Sequence, residues 1–294
     1  MNDTIHIVAA TDNHYAILLA ALVKSVEVNH HTPEPVVFTV IDDGISAGNR
    51  KKIAASVQGG RVSINWVNSK NLIPENIQLP LDNSAFPLTT YLRIFGPYAP
   101  AEASKVIYLD VDTIVLDDIS KLWHTDLNNN LFAAVQDVQE TVSCSWAGIP
   151  NYKELGIPPE TKYFNAGVLL INAKRWRDEQ IAGKVIQFLH ENRKHINYAD
   201  QYGLNGVLYN QWLQLDPQWN WFAFKEHQRP ALIHFLDIKP IFKNYKSEPL
   251  FQKYFFEYLN QTPFKGTKLI AGNRRILKKI RTRIKKALMS LVKK

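Results

Sequence analysis

Residues 5–13, IHIVAATDN, set a short apolar run (5–10) directly against the polar Thr11-Asp12-Asn13. An apolar run of that length, bounded by polar residues, reads as a buried strand. A helical pattern follows, with Leu19, Leu22, Val23 and Val26 on one face and Lys24 and Glu27 off it. Residues 36–41 (VVFTVI) read as a second strand closed by Asp42-Asp43-Gly44. Residues 46–57 read as a helix stopped by Gly59-Gly60, and residues 61–67 alternate as a third strand. Strands alternating with helices predict an α/β fold with a mostly parallel sheet and flanking helices. Ligands on such sheets sit beyond the carboxyl ends of the strands, so Asp12-Asn13 marks a candidate site.

Further along, residues 68–84 are loop-like, with Pro74 and Pro80, and Thr89-Thr90-Tyr91-Leu92-Arg93 lies in a short helix. Lys105–Leu109 (KVIYL) is a buried strand running into Asp110-Val111-Asp112. Strands are also expected at 131–135, 166–171 and 231–235, a long helix over 174–194, and a shorter one beginning near Asp200. There is no internal repeat and no low-complexity linker.

In Asp110-Val111-Asp112, strand-like spacing of two puts both carboxylates on one face while Val111 points the other way. Two close carboxylates at a strand end make a hard oxygen site suited to Mn²⁺ or Mg²⁺, which can bridge diphosphate oxygens. Such doublets also cap or solvate turns, and Asp117-Asp118, a few residues on, is read that way.

The composition, 46% hydrophobic and 21% charged over 294 residues, is that of a globular protein whose core needs no disulfide or structural zinc. The single cysteine, Cys144, has no internal partner, which suits a reducing compartment. Met1-Asn2-Asp3-Thr4 lacks the features of a signal peptide, and no run of about 18 apolar residues is present. The expectation is a protein kept on the cytoplasmic side. The net charge of +8 is concentrated: residues 273–294 hold ten Lys and Arg, and no Asp or Glu follows Glu257. Ile276, Ile280, Ile284, Leu288 and Leu291 recur at helical spacing among those cations, the pattern of a helix lying on an anionic membrane surface. No aromatic residue follows Phe264 to stack on bases, so nucleic acid is not an expected partner.

Several motifs occur in one order. Ala10-Thr11-Asp12-Asn13-His14-Tyr15-Ala16, Thr89 to Arg93, Tyr108-Leu109-Asp110-Val111-Asp112, Tyr163-Phe164-Asn165-Ala166-Gly167, Lys174-Arg175-Trp176 and Asp200-Gln201 together resemble glycosyltransferase family 8 over roughly residues 5–240. The likeness is greatest to bacterial lipopolysaccharide galactosyl- and glucosyltransferases. It implies a GT-A-type, Rossmann-like mixed sheet over residues 1–264, with residues 265–294 as a basic amphipathic tail. It also implies a retaining transferase that uses a UDP-hexose donor, Mn²⁺ or Mg²⁺, and an oligosaccharide or lipid-linked glycan acceptor.

The roles implied are as follows. Ala10, Asp12 and Tyr15 bind the nucleoside, and Arg93 the donor phosphate or sugar hydroxyls, unless it is a surface ion pair. Asp110, Asp112 and His234 bind the metal, with Asp110 also near the ribose and sugar. Asn165 touches the transferred sugar, where Gly167 relieves crowding unless its role is a structural one at the strand end. Asp200 holds donor hydroxyls or caps its helix, and Gln201 lies below the anomeric carbon. Asp137 and Tyr198 face the acceptor, and Lys239 reaches the diphosphate. His14 replaces the Asn of many relatives. The segment His234-Phe235-Leu236-Asp237-Ile238-Lys239-Pro240-Ile241 lacks the Gly two positions after the aromatic residue and the Trp after Lys-Pro, and it is one residue short. That leaves open an inactive binding protein. An aspartyl-phosphate phosphatase is disfavoured, because three βα-like units precede Asp110.

Overall fold

The computed structural model describes residues 4–82, 86–227 and 229–292. Its centre is a seven-stranded sheet built from β1 (Ile5–Thr11), β2 (Val36–Asp42), β3 (Val62–Asn68), β4 (Lys105–Leu109), β6 (Phe132–Thr141), β7 (Lys162–Asn172) and β8 (Trp212–Gln214), in the order β3-β2-β1-β4-β7-β6-β8. All neighbours pair in parallel except β7, which runs antiparallel to both β4 and β6. This is the mixed, mostly parallel sheet the sequence predicts.

Alternation along β1 sends Ile5, Ile7 and Ala9 to one face and Val8 to the other. The first face is covered by α1 (Ala16–Asn29), α2 (Ala47–Ala54) and α8 (Pro249–Leu259). The second is covered by a 3₁₀ helix (Leu88–Tyr98), α6 (Ile181–Glu191) and α7 (Ala199–Leu208). α1 is buried nearly all round, Lys24 included, because α8 and β5 (Thr113–Val115) pack on the side that would otherwise meet water. Lys24 is held by an ion pair with Glu27 one turn on.

The long helix expected over 174–194 is two helices, α5 (Ala173–Asp178) and α6, because Gln180 between them takes a left-handed backbone (φ 53°) that a continuous helix excludes. Asp118 is structural, as read: its carboxylate accepts from the amides of His31, Thr32 and Ser120 and from His30.

Two features position the site. β7, being reversed, begins at the edge where β1 and β4 end. The β6–β7 register also slips between Ala134 and Val135, so Ala166, Gly167 and Val168 turn from β6 toward β4. The Asp110 amide donates to the Gly167 carbonyl at 2.8 Å. Beside this edge, a small second sheet pairs β5 with β10 (Leu232–His234), and β10 with β9 (Trp221–Phe222). Its register sets His234 opposite Thr113, the residue after Asp112. Among the described residues no helix is long and apolar enough to cross a membrane.

Candidate active site

Every residue assigned from sequence to donor, metal, acceptor or catalysis lines one cavity of about 710 Å³ at the carboxyl edge of the sheet. Asp12, at the end of β1, accepts the amides of His14 (2.9 Å) and Tyr15 (3.3 Å), so its carboxylate is oriented by the short 3₁₀ turn it starts (Asn13–Tyr15).

Asp110 and Asp112 leave β4 and meet His234 from β10. One ligand atom from each of the three lies within 4.8 Å of the others. His234 Nε2 stands 3.8 Å from Asp110 and 3.5 Å from Asp112. Ligands about 2.1 Å from one cation lie roughly 3–4 Å apart, so the spacing and the O,O,N donor set fit a hard divalent ion. The opposite ring nitrogen, Nδ1, bonds the side-chain oxygen of Asn220 at 2.9 Å, which fixes the ring with Nε2 toward the carboxylates. Space for that ring comes from Gly167: a Cβ there would sit 2.3 Å from His234 Cε1. Gly167 therefore makes room for the histidine, a structural role of the kind that stood as the alternative to relieving crowding around the sugar.

Arg93 is a buried hub and not a surface ion pair. It donates to Asp110 at 2.6 and 2.8 Å and to Asp200 at 3.0 Å, and its guanidinium lies 5.1 Å over the Tyr108 ring. Burial disfavours its charge, but Asp110 and Asp200 outweigh that and raise its pKa above the usual value. Asp112 is likewise opposed by burial yet held well below the ordinary carboxylate range by Lys239 and His234. Lys239 pairs with Asp112 and donates to the Phe235 carbonyl at 2.7 Å.

Asp200 behaves differently. It is not the cap of α7: Tyr198 holds that position, and Asp200 follows Ala199, whose backbone is left-handed (φ 47°). That strained alanine, costing about 1 kcal/mol, turns the chain so that Asp200 and Gln201 enter the cavity. Burial pushes the Asp200 carboxyl up to about 7, with Arg93 opposing and Asp110 adding to the rise. Its Oδ1 has no hydrogen-bond partner among the described residues.

A polar chain joins the remaining groups. Gln201 accepts from the Ala166 amide (2.9 Å) and donates to Asp137 (2.8 Å), and Asn165 donates to the same Asp137 oxygen (3.0 Å). The oxygen of Asn165 in turn accepts from Gly167 (2.9 Å) and Asn220 (2.8 Å). Asp137, read from sequence as an acceptor contact, is in the structure the clamp that orients Gln201 and Asn165.

Asn220 is the residue that sequence reasoning missed. It sits among aromatic residues with no motif around it, and only its burial (1%) singles it out. Missed too was Phe86, exposed at the cavity wall with Trp146 and Phe224; of the tryptophans and the aromatic cluster 212–224, read from sequence as core packing in preference to an acceptor groove, these last two are exposed there.

In the altered loop, Asp237 stands where the family pattern has glycine, and its backbone is left-handed (φ 57°). Aspartate tolerates that region better than most residues. Its side chain is turned to Arg275, 2.9 Å away on the C-terminal helix.

This architecture recurs in known proteins. The chain is 28% identical over 283 residues to General stress protein A of Bacillus subtilis, covering 89% of this chain and 95% of that protein. It is 30% identical over 212 residues to a putative glycosyltransferase of Haemophilus influenzae, covering 70% and 60% of the two. A crystal structure of the galactosyltransferase LgtC with donor and acceptor sugar analogues shares its GT-A-type fold, with a TM-score of 0.72 at 28% identity over 88% of this chain and 96% of LgtC. The sequence model of glycosyl transferase family 8 matches residues 6–240, the span holding every side chain that the motifs assigned to this cavity, and the chain belongs to that family.

Proposed function

We propose that the chain is a metal-dependent, retaining transferase that moves galactose or glucose from a UDP-sugar to a hydroxyl of a lipopolysaccharide or other surface glycan. The observation that carries this reading is the convergence of Asp110, Asp112 and His234 on a cavity shared with Arg93, Asp200 and Gln201. Bound there, Mn²⁺ or Mg²⁺ would act as a Lewis acid toward the leaving diphosphate. Asp12 and the Ala10 backbone meet the uracil, with the Tyr15 ring over the base. Arg93 fixes Asp110 and Asp200 and faces donor phosphate or hydroxyls. Lys239 turns from Asp112 to add positive charge to the diphosphate. Asn165 contacts the transferred hexose, Asp200 Oδ1 accepts a hydrogen bond from one of its hydroxyls, and Asp137 and Tyr198 border the acceptor.

Gln201 has both ends of its amide engaged, and an amide is a poor nucleophile. This supports attack of the acceptor hydroxyl from the face the diphosphate leaves, with a departing phosphate oxygen taking the proton. Covalent capture by Asp200 needs an ionised carboxylate, and a pKa near 7 works against it. A trapped glycosyl-enzyme at Asp200 would overturn the front-face route.

The C-terminal helix α9 (Gly272–Val292) presents Ile276, Ile280, Ile284 and Leu288 to solvent, each about half exposed. Leu291, the last member of that stripe, lies outside the described side chains. We read the stripe and its cations as a peripheral anchor to the anionic inner face of the cell membrane. Unchanged binding to anionic vesicles after deletion of residues 273–294 would refute it.

The test of function is UDP release from a panel of UDP-sugars with Mn²⁺, with EDTA, and from Asp110→Ala/Asp112→Ala. Metal-dependent release from one hexose donor, lost in the double variant, is the expected result. Absence of both release and metal-dependent UDP binding would make the chain an inactive binding relative.

A further inference from the structure

The tail has a second face. Arg275, Lys279, Thr282 and Lys286 are spaced four, three and four residues apart, which puts them on one side of α9. Arg275, Lys279 and Thr282 line the cavity described above. Further along the same side, Lys286 is buried (4% exposed) and pairs at 3.0 Å with Asp82, which also accepts from the Tyr91 hydroxyl. Tyr91 belongs to the 3₁₀ helix that carries Arg93. At its other end α9 is tied by Arg275 to Asp237 in the loop after His234.

This helix differs from an ordinary surface helix: three of its cations, Arg275, Lys279 and Lys286, face the protein, while Ile276, Ile280, Ile284 and Leu288 face away and Arg281, Arg283 and Lys285 are exposed. Ion pairs, and not apolar burial, hold it in register across the cavity. The buried pair of Lys286 and Asp82 specifies that register, since misplacing the helix would leave two charges buried alone.

The cavity it covers needs positive charge. Five aspartates line its inner part (Asp12, Asp110, Asp112, Asp137 and Asp200), with Arg93 and Lys239 already paired to them. Asp237 adds a further negative group where the family pattern has glycine. Lys279 is exposed, lines the cavity, and has no carboxylate partner among the described residues.

We propose that α9 is a wall of the donor site, with Lys279 contributing a cation to the donor's diphosphate and Arg275 neutralising Asp237 so that it does not repel it. This rests on the reading of the cavity as a UDP-sugar site. It gives the altered loop a physical compensation: the charge introduced by Asp237 is cancelled by a residue some forty positions later, on a segment outside the span the family model matches.

The test is titration calorimetry of the full chain with UDP and with uridine, in Mn²⁺. The proteins are wild type, Lys279→Ala, Arg275→Ala, Arg275→Ala/Asp237→Asn, and Lys285→Ala as a control from an exposed position of α9 that does not line the cavity. Lys279→Ala is expected to bind UDP roughly tenfold more weakly, the loss of one charge-assisted contact, with uridine affinity unchanged. Arg275→Ala should weaken UDP binding as well, and Asp237→Asn should restore it. Lys285→Ala should match wild type. The proposal is overturned if Lys279→Ala and Arg275→Ala bind UDP within twofold of wild type, or if Lys285→Ala loses as much as Lys279→Ala. Failure of wild type itself to bind UDP in Mn²⁺ would instead remove the donor reading on which the proposal stands.

Discussion

Asp118 and Asp200 are the same residue type, both buried, and the fold treats them in opposite ways. Asp118 receives three backbone amides and the His30 ring, at 2.6 to 3.2 Å. Burial works against its charge, yet those donors hold its pKa below the ordinary range. Asp200 receives Arg93 on one oxygen, leaves the other without a hydrogen-bond partner among the described residues, and is pushed up to about 7. A carboxylate whose needs are met internally can only hold structure together. One left partly unmet, facing a cavity, is held ready for a group from outside.

The contrast can be broken most sharply at the proposed metal ligands. Asp112→Ala should reduce Mn²⁺-dependent UDP release by more than about a hundredfold, since even outer contacts to metal ligands are worth 10–100-fold. Its thermal midpoint should fall as well, because Lys239 and His234 lose the carboxylate they pair with, so UDP release and not stability separates the two sites. Asp118→Ala should act on stability alone: a loss of about 2 kcal/mol or more from stranded donors, read in urea, with UDP affinity unchanged. Equal effects of the two substitutions on UDP binding would erase the distinction drawn here.

A finer probe is Gly167→Ala. The added Cβ must displace the His234 ring, so Mn²⁺ affinity should fall by roughly tenfold, the scale of disturbed ligand orientation. The smallest effect is on the pH dependence of stability in metal-free protein. Asp118, with a depressed pKa, contributes stability that is lost as pH falls below about 4. Asp200, with a raised one, remains protonated in the fold while the unfolded chain ionises, so its contribution is lost as pH climbs from about 4 toward 7. Asp200→Asn should flatten that upper limb and leave the acid limb in place. An upper limb unchanged by the substitution would show that Asp200 is already ionised in the fold.

Much of the site was legible because its parts lie at the ends of strands with unambiguous periodicity. Asp12 follows β1 and Asp110 follows β4, each straight after an apolar run, and the motif order supplied the rest. Boundaries moved where side-chain pattern gave no guidance. Gln180 broke the long helix, and Asp42 and Thr11 extended their strands by one residue. Asn220 stayed hidden because its value comes from partners 14 and 55 residues away, which leave no trace in its neighbourhood. The tail was read by its apolar stripe as facing a membrane. Its cationic face is turned to the cavity, which periodicity cannot reveal, since it says which residues share a side and not what that side meets.

The sequence by itself determined the alternating α/β order, the acidic strand ends and the family, because these depend on short-range period and on residue types at fixed spacing. Tertiary structure alone decided that β7 runs backward to bring Asn165 and Gly167 beside Asp110, that β10 pairs with β5 to deliver His234, and that α9 crosses the cavity with Arg275 against Asp237. Each of these is a contact between residues far apart in the chain. Only the packed core fixes which distant elements meet, and so only there does the partner of each charge become defined.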